Sequence, residues 1–138
     1  MLLLDHVSIG VPDLAAARPF YDAIMNTLGA RKVYDRPDAI GYGERCSADD
    51  LRSSCLAIYL DPAPITASRR HWCFKAATRE QVDDFHKLGM AAGGRSDGDP
   101  GLRSHYHDQY YGAFLIDPAG NKVEAVCHAG SVDWTRRC

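Results

Sequence analysis

Two stretches of the chain repeat one another in register, and this repeat constrains the fold more than any other feature of the 138 residues. Counting from His6, Phe20, Met25 and Gly29 stand at offsets 14, 19 and 23. Counting from His71, Phe85, Met90 and Gly94 stand at the same three offsets, with no gap introduced. Agreement at three positions predicts two copies of one supersecondary unit. A chain of this length is about one ordinary domain. The two copies are therefore expected within a single domain spanning 1–138, with module one at about 1–62, module two at about 70–128 and a tail at 129–138.

Each histidine opens a run in which apolar residues alternate with polar or small ones, the pattern of a half-buried strand. Val7, Ile9 and Val11 share one face, and His6, Ser8 and Gly10 the other. Trp72, Phe74 and Ala76 oppose His71, Cys73 and Lys75. Both histidines thus belong to the more polar face, while Trp72 and Phe74 belong to the core. Each strand leads into a helix. Asp13 can N-cap the first, whose stripe is Leu14, Ala17, Tyr21, Ile24 and Leu28. Pro19 conflicts with that helix and is expected to kink it or delay its regular part. Thr78 and Gln81 form a capping box before the stripe Val82, Phe85, Gly89 and Ala92. Shorter strands follow at about Ala39 to Gly43, Cys55 to Leu60, Ala113 to Ile116 and Lys122 to Cys127, whereas Gly93 to Gly101 reads as a long Gly-, Asp- and Pro-rich loop. The turn Asp117-Pro118-Ala119-Gly120-Asn121 makes the last two strands an antiparallel hairpin.

That hairpin places Glu124 in the middle of an apolar strand, on the face of Val126 and opposite Val123, Ala125 and Cys127. An unpaired carboxylate buried there costs roughly several kcal/mol, so a cation or hydrogen-bond donors must meet it. A lone strand histidine is usually a structural residue, but the repeat puts two at equivalent positions. Two imidazoles and one carboxylate occupy three sites of an octahedron and leave the others for water and substrate. This suits a divalent ion such as iron, manganese, nickel or zinc. His6, His71 and Glu124 are the candidate metal ligands.

The segments Asp5-His6-Val7-Ser8-Ile9-Gly10-Val11-Pro12-Asp13-Leu14, with Phe20-Tyr21, and Ala113-Phe114-Leu115-Ile116-Asp117-Pro118-Ala119-Gly120-Asn121-Lys122-Val123-Glu124 carry a further signal. Through them the chain resembles the vicinal oxygen chelate superfamily, which includes glyoxalase I, extradiol dioxygenases, fosfomycin-resistance enzymes and bleomycin-binding proteins. The resemblance covers nearly everything up to residue 128. It implies an α+β fold in which two βαβββ modules form a curved, eight-stranded mixed sheet, a cup around the site. It assigns metal binding to His6, His71 and Glu124. It also implies a metal-dependent enzyme, of lyase or dioxygenase type, whose small substrate chelates the ion through neighbouring oxygens. Glyoxalase I takes a fourth ligand, a glutamate, from the last strand of its first module. Here that strand reads Cys55-Leu56-Ala57-Ile58-Tyr59-Leu60 and has no carboxylate, so a typical glyoxalase I activity is not implied. The alternative is a metal-free protein that sequesters a small molecule, as bleomycin-binding relatives do.

The segment Leu102 to Tyr111 is the densest collection of polar and aromatic groups in the chain and could line the pocket mouth. His105 and His107 are candidates for general acid or base, Tyr110 and Tyr111 for donors to bound oxygen, and Arg103 for pairing with a substrate carboxylate or phosphonate. Tyr59 either points into the cup as a donor or packs. Cys73, on the face of His71, is expected to fill space. His128 lies on the Glu124 face at a strand end, where solvation is expected.

Sixteen Lys and Arg against eighteen Asp and Glu, with no long run of either sign, suggest neither nucleic acid nor an anionic membrane surface as partner. Five cysteines without a CxxC spacing, and no export signal, fit a cytoplasmic location. A homodimer is the expected assembly if there is one.

Overall fold

The computed structural model describes residues 3–44, 47–50, 52–66 and 69–130. The repeat is realised as two βαβββ modules. The first contains β1 (His6–Val11), α1 (Leu14–Thr27), β2 (Lys32–Asp35), β3 (Ala39–Gly43) and β4 (Cys55–Leu60). The second contains β5 (His71–Lys75), α2 (Arg79–Ala91), β6 (Arg95–Leu102), β7 (Tyr111–Ile116) and β8 (Lys122–Cys127). Most of the expected tail, residues 131–138, lies outside the described residues.

Both helices start where their caps dictate. The Asp13 carboxylate accepts from the backbone of Ala15 and Ala16 at 2.8 and 3.2 Å. Thr78 Oγ1 accepts from Gln81 N at 3.2 Å, while Gln81 Oε1 takes the N–H of Ala77 at 2.7 Å. At α1 two of the open N–H groups, those of Ala15 and Ala16, are thereby satisfied, and at α2 that of Gln81, with the Ala77 N–H just before the cap. Pro19 does not delay α1, which is continuous from Leu14. Its missing N–H forfeits one helical bond, and burial of Phe20, Tyr21 and Ile24 immediately after it offsets that loss. Helix α1 ends on Gly29 at φ +76° and α2 on Gly93 at φ +103°. The left-handed position in the second copy is thus one residue earlier than the repeat suggests. Gly94 is small for another reason: a Cβ there would lie 2.4 Å from Phe20 Cε2.

The strands divide into two mixed sheets of four, ordered β1-β4-β3-β2 and β5-β8-β7-β6. In each, the first strand runs parallel to the last of its module and the other pairings are antiparallel. The eight expected strands are present, but among the described residues β1 does not pair with β5. Each leaves one edge of its sheet open.

The Gly93 to Gly101 stretch is not the expected loop. Most of it is β6, which pairs with β7 through two register shifts, at Ser96/Gly98 and Gly98/Gly101. Its Gly, Asp and Pro residues hide the strand pattern. An outer strand with bulges tolerates them, because one of its two hydrogen-bonding edges has no neighbour to serve.

The modules meet through their helices. At Gly89 of α2 a Cβ would fall 2.4 Å from Leu115 Cδ1 and 2.9 Å from Ile24 Cγ2, so α1, α2 and β7 close on that glycine. Beside it, the buried Tyr21 hydroxyl donates to Asp117 Oδ2 at 2.7 Å. Asn121 Nδ2 donates both to Asp117 Oδ2 at 2.9 Å and to the Gly10 carbonyl at 3.1 Å. The Asp117–Asn121 turn therefore joins β7 to β8 and also clasps the second module to the first. No helix among the described residues is long and apolar enough to cross a membrane.

Candidate functional site

Strand register decides which side chains share the helix-free face of the second sheet. Cys73, Glu124 and Phe114 form one cross-strand row, and His71, Lys122, Ile116 and Arg95 the next. Glu124 is only 2% exposed, as expected of a carboxylate inside an apolar strand. Three donors meet it. His71 Nε2 lies 3.1 Å from Oε2, and the Tyr110 hydroxyl donates to Oε1 at 2.5 Å. The Cys73 thiol also hydrogen-bonds to Glu124. Burial, then the Glu124 charge, pushes that thiol up to about 12, so near neutral pH it stays a protonated donor. Although Cys73 is exposed as a residue, its thiol is turned toward Glu124 and Tyr110, and it is not core filler. Burial, followed by the hydrogen bond to Glu124, also holds the Tyr110 hydroxyl well above its ordinary value.

Tyr110 reaches Glu124 because the segment after β6 is short and internally bonded. Arg103 N donates to the Tyr110 carbonyl at 2.7 Å, Tyr106 N to Arg103 O at 2.9 Å and Tyr110 N to His107 O at 3.0 Å. The ladder thereby extends by one pair beyond Leu102 and Tyr111, setting Arg103 and Tyr110 opposite each other on the Glu124 face. A Cβ at Gly112 would lie 3.2 Å from both Glu124 Oε1 and Tyr110 Cε1, so glycine there makes room for their contact.

The remaining candidates are distributed more widely. His107 Nε2 and His128 Nδ1 are 2.8 Å apart, and both rings stand edge-on to Tyr110 at 5.5 and 5.3 Å. His128 is thus a partner of His107 rather than a merely solvated strand end. Alternation had placed it on the Glu124 face, but no periodicity links it to His107. His105 lies against Tyr106 with ring centroids 4.3 Å apart and tilted by 42°, and is exposed. Tyr111 stands on the other side of the sheet, where its hydroxyl donates to Asp83 of α2 at 2.6 Å. Tyr59 belongs to the first module's sheet, opposite Gly10 and Ala39, and hydrogen-bonds to Tyr34. Arg103 lies beside Phe114, with Cζ 5.8 Å from the ring centroid.

His6 opens β1, is exposed, and has Nδ1 2.7 Å from Asp5 Oδ1. It lines a groove of about 560 Å3 whose other walls include Tyr42, Cys55, Trp72 and Cys73. His71 and Glu124 stand outside that lining. Among the described residues, no three His, Cys, Asp or Glu side chains are gathered closely enough to hold a metal ion. The expected triad thus comes together in this chain only as its His71–Glu124 pair.

The chain belongs to the Glyoxalase/Bleomycin resistance protein/Dioxygenase superfamily, whose family model matches residues 3–125. Superfamily members act on small molecules, often with a divalent metal and often as dimers. Among solved structures, it is similar to a glyoxalase/bleomycin resistance protein from Albidiferax ferrireducens T118. The identity is 32%, over 90% of this chain and 98% of that one, with a TM-score of 0.76. A glyoxalase/bleomycin resistance protein/dioxygenase family enzyme from Burkholderia phytofirmans PsJN shares 22% identity over 91% and 98% of the two chains, with a TM-score of 0.65. A lactoylglutathione lyase from Agrobacterium tumefaciens shares 20% over 91% and 92%, with a TM-score of 0.59. These last two likenesses concern the fold alone. No curated protein matches the chain.

Proposed function

We propose that the chain is a divalent-metal-dependent enzyme acting on a small substrate that offers two neighbouring oxygens to the ion, with His6, His71 and Glu124 as protein ligands. The observation that carries this reading is the 3.1 Å between His71 Nε2 and Glu124 Oε2. Two donors about 2.1 Å from a common ion and at right angles to each other are separated by about 3.0 Å. The pair therefore has the spacing of two adjacent ligands. Its buried carboxylate has the other oxygen already held by Tyr110. His6, equivalent to His71 by the repeat, supplies the third ligand. Because β1 and β5 are open edges among the described residues, pairing of β1 with β5, within a chain or between two copies, would bring His6 to the pair.

A bound divalent ion supplies Lewis acidity to the chelated oxygens. The chain's own residues do the rest. Tyr110 fixes the Glu124 rotamer through Oε1 and keeps its proton there, and the Cys73 S–H gives the same carboxylate a further donor. His107 and His128, sharing one hydrogen bond beside Tyr110, are placed to take or return a proton at the rim. Tyr110→Phe is expected to lower metal affinity by about 10- to 100-fold, the usual effect of losing a group that orients a ligand, with the circular dichroism spectrum unchanged. Competition with a chelating dye measures it. Unchanged affinity would remove Tyr110 from the site.

The reading as a whole is tested by thermal melting with manganese, iron, nickel or zinc. At an ion concentration of about 100 Kd, binding stabilises by about 2.7 kcal/mol, and the resulting rise in Tm should vanish in His6→Ala and His71→Ala. No rise with any ion would instead favour the metal-free binding protein.

A further inference from the structure

Next to Glu124, basic groups converge on one aromatic ring. Phe114 is the direct cross-strand partner of Glu124. The Lys122 ammonium lies 4.6 Å from its centroid, the Arg103 guanidinium carbon 5.8 Å and the His71 ring 6.2 Å. Register adds Arg95 to the row of His71 and Lys122 on the same face. Neither Arg103 nor Lys122 is buried, yet both are held in place. Arg103 Nη2 donates to the Asp99 carbonyl at 2.7 Å. Its guanidinium lies against two glycines: Cβ atoms there would fall 3.3 Å from Nη2 at Gly98 and 3.5 Å from Nη1 at Gly101. The Lys122 ammonium is steadied by Asp97 at 2.8 Å.

A small residue is needed on β6 at Gly98. Gly98 lets Phe114 and Arg103 approach the strand, with a Cβ there only 2.9 Å from Phe114 Cδ2. At Gly101 a side chain would meet the guanidinium only at ordinary contact distance. The Gly- and Asp-rich composition that conceals β6 in the sequence builds a bed for one arginine. The carboxylates nearby are already engaged, Glu124 by His71 and Tyr110, Asp97 by Lys122, and Asp99 by Ser96 and His86. Arg103 contributes a fixed guanidinium with a planar fork suited to an oxyanion, and Lys122 a second positive charge.

We propose that Arg103 and Lys122, flanking Phe114 beside Glu124, form an oxyanion subsite, so that the substrate is a small molecule bearing a carboxylate or phosphate next to its chelating oxygens. This names the substrate class for the metal site proposed above and rests on that reading for its catalytic role, although the anion contacts themselves need no metal. Phe114 sets the specificity further, since its face favours a flat or apolar body attached to the anion.

The test is calorimetric titration of the metal-free full chain with sodium benzoate and, separately, with inorganic phosphate, for wild type, Arg103→Met and Lys122→Met. Saturable binding of at least one probe is expected, weakened about tenfold or more by either substitution and restored in part by Lys122→Arg. Preference for benzoate assigns a carboxylate, and preference for phosphate a phosphate ester. Binding of neither probe, or equal binding by wild type and both variants, overturns the subsite. A parallel titration with metal separates the two ideas. Metal binding without anion binding sinks only this subsite, whereas anion binding without metal binding sinks only the metal enzyme.

Discussion

Asp117→Ala should cost about 3–5 kcal/mol of folding stability, enough to bring a domain of this size close to unfolding. Asp117 is 4% exposed and accepts four hydrogen bonds. Oδ2 takes the Tyr21 hydroxyl and Asn121 Nδ2, and Oδ1 takes the backbone N–H of Ala119 and Asn121 at 2.9 and 2.7 Å. Alanine would leave a fully buried tyrosine hydroxyl and two turn amides without their acceptor, at about 1–3 kcal/mol for each group that water cannot reach. The loss also loosens the contact between modules, because Asn121 holds the Gly10 carbonyl from the same cluster. Urea unfolding followed by circular dichroism measures the effect. Tyr21→Phe should cost about 1–2 kcal/mol. The double variant should cost less than the sum of the two, since both substitutions remove the same bond. Strict additivity would show that the clasp is not one unit.

Glu124→Gln should reduce metal affinity by more than about 100-fold, since the loss of a ligand exceeds the 10- to 100-fold typical of groups that only support one. Glutamine keeps the volume, can still accept from Tyr110, and removes the charge an ion requires. The fold should survive, because the amide oxygen still accepts from Tyr110, the amide N–H can donate to His71 in its other tautomer, and no charge is buried. Competition against a chelating dye, with circular dichroism as a control, separates loss of metal from loss of structure. Retained affinity would exclude Glu124 as a ligand.

The parts of the fold that depend on local pattern were legible in the sequence. His6 and His71 open equivalent strands, Asp13 and Thr78 cap the helices, and the Asp117–Asn121 turn sets the hairpin that buries Glu124. Alternation along β8 placed the carboxylate on the correct face, and the energetic need for donors found its answer in His71 and Tyr110. What escaped depends on contacts between distant segments. Strand β6 is built from residues that disfavour strands, because its form follows from bulges and from the need to seat Arg103 and Phe114. Lys122 stood in plain view beside Asn121, but its approach to Phe114 depends on the β7–β8 register. The pairing of His107 with His128 joins residues 21 apart that no period relates. Tyr110 and Tyr111 look alike in sequence, yet adjacent positions on a strand face opposite sides. Only Tyr110 meets Glu124, while Tyr111 bonds to α2. The division of eight strands into two sheets was equally hidden, because whether β1 and β5 pair depends on contacts between modules that no local pattern records.

The His71–Glu124 pair, joined by His6, is proposed to hold one divalent ion. Elemental mass spectrometry of the untagged full chain, purified without chelators and also after reloading with manganese, iron, nickel or zinc, tests it most directly. Close to one ion per chain is expected in wild type and almost none in His6→Ala, His71→Ala and Glu124→Ala. Wild-type protein that retains no ion under any of these conditions, or variants that retain as much as wild type, would contradict it.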